Sequence, residues 1–158
     1  METFEEKQRF TQWWLWLILL AACCIPSIPL LMDLEAKADQ WMALLAMSIL
    51  LFMVVGLLLL LQLKTKIDEV GVHYRFVPFH LKQNSILWQD IKSAQVRKYE
   101  PLKEYGGWGI KGYSKKNRAY NVKGNIGLQL VLKNGNKILL GTQKEEEIKQ
   151  FLNSKKTK

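Results

Sequence analysis

Hydrophobic residues are distributed very unevenly along this chain. No charged residue interrupts Trp13–Met32 or Trp41–Leu63, whereas beyond Leu63 apolar and polar residues alternate over short stretches. A helix rises about 1.5 Å per residue, so about 20 residues cover about 30 Å, the thickness of the hydrocarbon core of a bilayer. The pattern therefore predicts two transmembrane helices, 13–32 and 41–63, joined by a short loop, 33–40.

From Lys64 onward the chain has the two-residue periodicity of half-buried β-strands. Apolar and polar residues alternate over 70–76 and again over 126–132. Asn134-Gly135 is the residue pair that a tight hairpin turn requires, so a return strand is expected over 137–141. This part of the chain therefore predicts a small β-rich domain.

The end of the chain predicts an amphipathic helix. Thr142-Gln143-Lys144-Glu145 has the form of a capping box, and Ile148, Phe151 and Leu152 follow with the spacing of one apolar stripe. We expect Phe151 to close one end of the sheet. The predicted fold class is an α+β membrane protein: a two-helix transmembrane hairpin, then a small bent β-sheet or split-barrel domain, 64–158, closed by a C-terminal α-helix.

The net charge also differs between the same two parts of the chain. The whole chain has a formal net charge of +9, but residues 64–158 contain 20 Lys and Arg against 8 Asp and Glu, a net of +12, and the first 63 residues have a net of −3. A basic domain of this kind favours an anionic partner, either a membrane surface or a nucleic acid.

Lysine and arginine residues next to the apolar segments predict their orientation, because these residues are enriched on the cytoplasmic side of a membrane. The loop 33–40 contains only Lys37, so we expect it outside the cell, and the segment 1–12 is predicted to be a cytoplasmic tail. Both termini are then cytoplasmic in a multi-pass protein of the inner (cytoplasmic) membrane. The residues that indicate this orientation are Lys7, Arg9, Lys64, Lys66 and Arg75.

A lipoprotein signal is the alternative interpretation of the first apolar segment. Leu20-Ala21-Ala22-Cys23 resembles the bacterial lipobox, in which a signal peptide is cut before a lipid-modified cysteine. Three features favour a membrane helix instead: the N-terminus is rich in acidic residues, apolar residues continue to Met32, and a second apolar segment follows.

The strongest functional signal is a run of cations without an intervening acid, preceded by a tryptophan. The candidate binding residues are Trp108, Lys111, Lys115, Lys116, Arg118 and Lys123. A domain tethered at Leu63 stays close to the anionic cytoplasmic leaflet, so these residues predict binding to anionic lipid headgroups or to a membrane protein partner. A solvated face is the alternative, and the membrane tether argues against nucleic acid.

No catalytic group, metal site or cofactor is predicted. His73 and His80 are the only histidines, with no cysteine or acidic cluster beside them, and Glu145–Glu147 suit the positive N-terminal end of a helix. We therefore expect a non-enzymatic binding module. The second hypothesis is an accessory subunit of a larger membrane complex, in which the helical hairpin packs on its partners.

The order of short strands, a late Asn-Gly hairpin and a capped C-terminal helix resembles the bacterial pleckstrin-homology-like domain over roughly Ile67–Asn153. The resemblance extends to uncharacterised bacterial membrane proteins through the segments 104–110, 119–122 and 139–142. It implies a strongly bent sheet closed by the helix. Phosphoinositide-binding relatives have a lysine followed by a basic-x-Arg pair; here Lys66 is followed by His73-Tyr74-Arg75, so the resemblance does not imply that site.

Overall fold

The chain forms two compact units in its computed structural model, which describes residues 3–10, 13–32, 38–114 and 116–156. The helical unit is Thr11–Leu60, and the β unit combines Met1–Phe10 with Leu61–Lys158. Most of the predicted loop 33–40 lies outside the described residues.

The helical unit contains helices α1 (Trp13–Met32) and α2 (Ala38–Leu60). Within the described residues one stretch, Asp39–Leu60, is long and apolar enough to cross a membrane, and none of its residues is buried. Helix α1 covers the residues of the first predicted crossing. Helix α2 ends at Leu60 rather than at Leu63, because Leu63 is a fully buried residue of the β unit.

The described residues of the β unit form two sheets, two further α-helices and a short 3-10 helix, Trp88–Asp90. The first sheet consists of β1 (Phe4–Arg9), β2 (Gln62–Ile67), β3 (Gly71–Val77) and β4 (Asn84–Leu87). The second sheet consists of β5 (Ile91–Lys98), β6 (Gly109–Ser114), β7 (Asn117–Asn121), β8 (Ile126–Leu132) and β9 (Lys137–Gly141). Helix α3 (Pro101–Tyr105) follows β5, and α4 (Glu145–Lys156) follows β9.

The first sheet is antiparallel, with the strand order β1-β2-β3-β4. It begins with a strand that the sequence pattern does not predict, since residues 4–9 belong to the segment 1–12 that was expected to be a tail. In β1, Phe4, Glu6 and Gln8 are buried and the residues between them are exposed. The N-terminal segment is therefore part of the β unit.

Polar residues of β1 face inward because the end of β9 and the residues after it supply their hydrogen-bond partners. The Glu6 carboxylate accepts hydrogen bonds from the Thr142 hydroxyl at 2.6 Å and from the Gln143 backbone N–H at 2.8 Å. The Gln8 side-chain amide donates to the Gly141 carbonyl at 2.6 Å. Buried polar groups are tolerated when they are hydrogen-bonded, as the Glu6 carboxylate and the Gln8 amide nitrogen are, although Gln8 Oε1 is buried with no partner among the described residues. These contacts fasten β1 to the second sheet.

The second sheet has the order β5-β8-β9-β7-β6, in which β7 and β9 are parallel and the other neighbours are antiparallel. The predicted hairpin between β8 and β9 is confirmed: Gly135 has φ 83°, and its N–H donates to the Leu132 carbonyl at 3.0 Å. The α+β class with a β-rich domain is also confirmed. The described strands form two sheets and do not close into a barrel.

The inner faces of the two sheets form the core of the β unit. Tyr74 of β3 lies against Tyr120 of β7, with ring centroids 4.8 Å apart. Fully buried residues come from both sheets, among them Leu63, Ile67, Val72, Phe76, Leu128, Leu130 and Leu140. On the opposite face of the second sheet, Tyr105 of α3 belongs to a smaller buried cluster with Tyr99, Ala119 and Leu139.

Helix α4 contacts β5, β8 and β1 through a different residue from the one expected. Ile148 has 1% of its surface exposed, whereas Phe151 is only half-buried. The predicted apolar stripe of α4 is therefore present, but its most buried residue is Ile148 rather than Phe151.

The start of α4 differs from the predicted capping box. The Thr142 hydroxyl oxygen accepts from the Lys144 N–H at 2.9 Å, and the helix begins at Glu145. The Glu145 carboxylate pairs with Lys149 at 2.8 Å, one turn further along the helix. The carboxylate bonded to Thr142 is that of Glu6, supplied by β1.

Candidate functional site

Three positive side chains lie side by side on the face of the first sheet that points away from the core. In the strand register Lys7 is opposite Lys64, and Lys64 is opposite Arg75. Their neighbours Leu63 and Phe76 point into the core, so these three residues project from the outer face. Like charges directly opposite each other in a sheet are destabilising. We call this set the basic row; such an arrangement is typical of a surface that binds anions.

The positions beside the basic row extend it at one end and neutralise it at the other. Arg9, the next outward residue of β1, lies opposite Gln62. On the other side, Lys66 forms an ion pair with Glu5 at 3.2 Å. In the described part of the chain, no carboxylate forms an ion pair with Arg9 or with any residue of the basic row.

The guanidinium group of Arg75 is held in place by the loop after β3. Its Nε donates to the His80 carbonyl at 3.0 Å. An arginine has five N–H donors, so others remain for a ligand, and charge-assisted hydrogen bonds to phosphate or carboxylate are the strong ones. A depression of about 280 Å³ lies on this surface. Its lining includes Lys7, Lys64, Lys66, His73, Arg75 and Gln83, together with Glu5 and Glu6 of β1.

An acidic residue bounds the basic surface at the turn between β2 and β3. The His73 ring lies between Asp68 Oδ1 at 3.1 Å and Ser85 Oγ at 2.8 Å, and Asp68 also accepts from the N–H groups of Val70 and Gly71. Burial by itself raises the pKa of Asp68, but the hydrogen bonds from Gly71, His73 and Val70 outweigh it, so the pKa lies below its usual value. Asp68 is therefore ionised at neutral pH and places a negative charge at this end of the sheet.

The cations predicted as the binding site are not brought together on one face. Lys111 lies opposite Ala119 in the β6–β7 pair, and Arg118 immediately precedes Ala119. Successive residues of a strand point to opposite faces. Lys111 therefore shares the face of the buried Ala119, and Arg118 projects from the other face of the second sheet.

The other described residues of the predicted site lie before, between and after strands β6 and β7. The Trp108 indole Nε1 donates to the Gly124 carbonyl at 3.0 Å, and the half-buried ring lines a depression of about 690 Å³ beside α3. Lys116 is exposed in the turn between β6 and β7, and Lys123 is half-buried after β7. Lys115 lies outside the described residues. The bond from Trp108 to Gly124 brings Trp108 close to Lys123, whereas Lys111 and Arg118 project from opposite faces of the sheet.

Arg118 influences the pKa values of two side chains at the edge of the core. It is half-buried, and its positive charge reaches Tyr74 and His80. The pKa of His80 lies below its usual value, first because burial disfavours the charged ring and then because Arg118 repels a second positive charge. Burial is also the main cause that raises the pKa of Tyr74; the neighbouring Tyr120 adds to it, and Arg118 opposes it.

Among the described residues, no three His, Cys, Asp or Glu side chains are grouped so that they could hold a metal ion. No protein-family model matches the sequence, and no curated protein is similar to it. The functional assignment therefore depends on the geometry of the site.

The basic row was visible in the sequence only as an indicator of membrane orientation. Lys7 and Arg9, like Lys64 and Lys66, are two residues apart, the spacing that puts side chains on one face of a strand. That spacing would have indicated a shared surface if residues 4–9 had been assigned to a strand. The missing information was the pairing of β1 with β2.

Proposed function

We propose that this protein is a membrane-anchored, non-enzymatic binding module. Helices α1 and α2 form a transmembrane hairpin that holds a basic, pleckstrin-homology-like β unit at the cytoplasmic face of the inner membrane. The basic row binds anionic lipid headgroups there. The observation that carries this proposal is the alignment of Lys7, Lys64 and Arg75 across three strands, with no carboxylate paired to them among the described residues.

The connectivity of the β unit supports two crossings. Arg9 at the end of β1 is opposite Gln62 at the start of β2, so the chain leaves and re-enters the same sheet at neighbouring positions. A chain whose two ends belong to one folded domain crosses a bilayer an even number of times. If Asp39–Leu60 spans the membrane, α1 must return the chain, and its 20 residues are long enough to do so.

The short connection between α2 and β2 supports contact between the basic row and headgroups. Lys64 is four residues beyond Leu60, the last residue of α2, so its Cα lies within about 14 Å of the helix end even in a fully extended chain. The headgroup region adds about 5–8 Å to each side of the hydrocarbon core, and a lysine side chain extends towards it. Lys7 and Arg75 are held at the same level by the strand register.

The binding free energy expected from the basic row is large enough to measure. Each lysine or arginine near an anionic leaflet contributes about 1 kcal/mol, and the attraction decreases over a Debye length of about 8–10 Å. Three such residues together contribute at most about 3 kcal/mol, which corresponds to roughly a hundredfold change in affinity.

The test compares two variants with the same loss of charge. Full-length protein in mild detergent is titrated with phosphatidylglycerol and with phosphatidylcholine, and bound lipid is counted by native mass spectrometry. In one variant Lys7, Lys64 and Arg75 are replaced by glutamine. The matched control replaces Lys111, Lys116 and Lys123 by glutamine and leaves the first sheet intact.

We expect the basic-row variant to lose up to about a hundredfold in phosphatidylglycerol affinity and the control to lose much less. Binding of phosphatidylcholine should stay the same in both. An equal loss in the two variants would mean that net charge alone attracts the lipid. Unchanged lipid binding in both would favour a protein partner for the basic surface.

A further inference from the structure

The loop between β3 and β4, residues 78–83, exposes apolar side chains beside the basic row. Phe79 has 60% of its surface exposed and Leu81 has 85%. Lys82 follows them and is exposed as well. Exposed apolar groups next to cations have the composition of a segment that contacts the interface of an anionic membrane.

Hydrogen bonds around His80 hold this loop in one conformation. The His80 N–H donates to the Phe76 carbonyl at 2.8 Å, and its Nδ1 accepts from the Phe76 N–H at 3.2 Å and from the Asn84 side-chain amide at 2.9 Å. The ring lies near Tyr120, with centroids 5.4 Å apart. His80 is therefore turned inward, while the residues on either side of it, Phe79 and Leu81, remain exposed.

The strand register places this loop at the end of the first sheet where the chain enters and leaves the helical unit. Val77, the last residue of β3, is opposite Gln62, the first residue of β2, and Gln62 is opposite Arg9, the last residue of β1. The loop that follows Val77 therefore emerges at the same end of the sheet as Phe10 and Leu61. The turn between β2 and β3, which contains Val70, lies at the opposite end.

We propose that the loop 78–83 inserts Phe79 and Leu81 into the interface of the leaflet from which α2 emerges. This rests on the proposed function, because it requires Asp39–Leu60 to cross a membrane. The bilayer is the occupant that the position of the loop favours: segments of the chain at the same end of the sheet lead directly into the apolar helices, and Lys82 and Arg75 match anionic headgroups. The loop then attaches the β unit to the membrane at a third point, besides the two chain connections to α1 and α2, and fixes the tilt of the first sheet.

The experiment measures the depth of single probes in the full-length protein. Cys23 and Cys24 are replaced by alanine, and single cysteines are introduced as Phe79→Cys, Leu81→Cys, Val70→Cys and Leu59→Cys. Each is labelled with an environment-sensitive fluorophore. The protein is reconstituted in vesicles of phosphatidylglycerol and phosphatidylcholine that contain lipids with a nitroxide quencher in the acyl chain.

Val70 is the matched control because it is also apolar and 61% exposed, but lies about 20 Å away at the other end of the sheet. We expect lipid quenching at positions 79 and 81 to be several-fold greater than at position 70. Equal quenching at 79, 81 and 70, with strong quenching at 59, would overturn the loop insertion and leave the membrane span intact. Absence of quenching at position 59 would overturn the membrane span itself.

Quenching by iodide, which stays in the aqueous phase, distinguishes insertion of the loop into lipid from burial of the loop under another protein. Iodide should reach the probe at position 70 and should be excluded at positions 79 and 81. Exclusion of iodide at 79 and 81 without quenching by nitroxide lipids would mean that a protein, or a second copy of this chain, covers the loop; that result refutes the lipid proposal.

Discussion

Replacing Glu6 by alanine tests how β1 is held in the β unit. The Glu6 side chain accepts two hydrogen bonds, from the Thr142 hydroxyl at 2.6 Å and the Gln143 N–H at 2.8 Å, and the residue is only 7% exposed. A hydrogen bond to a charged group contributes about 1.5–3 kcal/mol, but removing a buried charge also recovers part of its desolvation cost. We therefore expect Glu6→Ala to lower the free energy of unfolding by about 2–4 kcal/mol.

The assay uses the β unit as a single soluble chain, residues 1–10 joined to 61–158 through Asn-Gly. Such a link is feasible because Arg9 and Gln62 are directly opposite in the antiparallel pair. Urea unfolding is followed by tryptophan fluorescence. The matched control is Glu5→Ala in the same strand: its side chain is 61% exposed and paired with Lys66, so we expect a change of about 0–1 kcal/mol.

A double-mutant cycle identifies the contact itself. Thr142→Val removes the hydroxyl that donates to Glu6, and the two substitutions should couple by at least about 1 kcal/mol if they act through one hydrogen bond. Glu6→Ala with no greater effect than Glu5→Ala, or full additivity with Thr142→Val, would refute the reasoning.

Three further outcomes are expected. Ile148→Ala should destabilise the β unit by about 2–5 kcal/mol in the same urea assay, and Phe151→Ala by clearly less, because only Ile148 is fully buried. The hydrogen bond to Arg97 is the main cause that holds the pKa of Glu104 below its usual value near 4.5, so the pair stabilises the fold above that pH and loses its effect as the pH falls through the folded pKa. The difference in melting temperature between wild type and Glu104→Gln should accordingly shrink from pH 7 to about pH 3. A cysteine introduced as Ser114→Cys should resist an impermeant thiol reagent in intact cells, and labelling there would contradict a cytoplasmic β unit.

The features that the sequence predicted are those encoded over a few neighbouring residues. The apolar stretch Trp41–Leu63, which overlaps the span Asp39–Leu60, needs only its own composition to be recognised. Asn134-Gly135 predicted the hairpin because a tight turn requires residues that accept positive φ. The C-terminal helix follows from its acidic first turn and the stripe that contains Ile148.

Tertiary contacts decided what the local pattern did not encode. Residues 4–9 are almost entirely polar, and their strand is stable because Glu6 and Gln8 find partners 136 and 133 residues away. The apolar run gave no sign of where α2 gives way to β2, since a buried strand residue such as Leu63 is as hydrophobic as a membrane residue.

Tertiary contacts also decided which cations form the proposed binding surface. Composition determined that residues 64–158 are basic, and the run from Lys111 to Lys123 was the densest cluster along the chain. Strand alternation places Lys111 and Arg118 on opposite faces, whereas the pairing of β1 with β2, which is distant in sequence and forms a hairpin with β3, aligns Lys7, Lys64 and Arg75. The sequence determines how many cations the domain carries, but strand pairing decides which of them act together, because β1 comes from a distant part of the chain and a one-residue change of register would move each of its side chains to the other face.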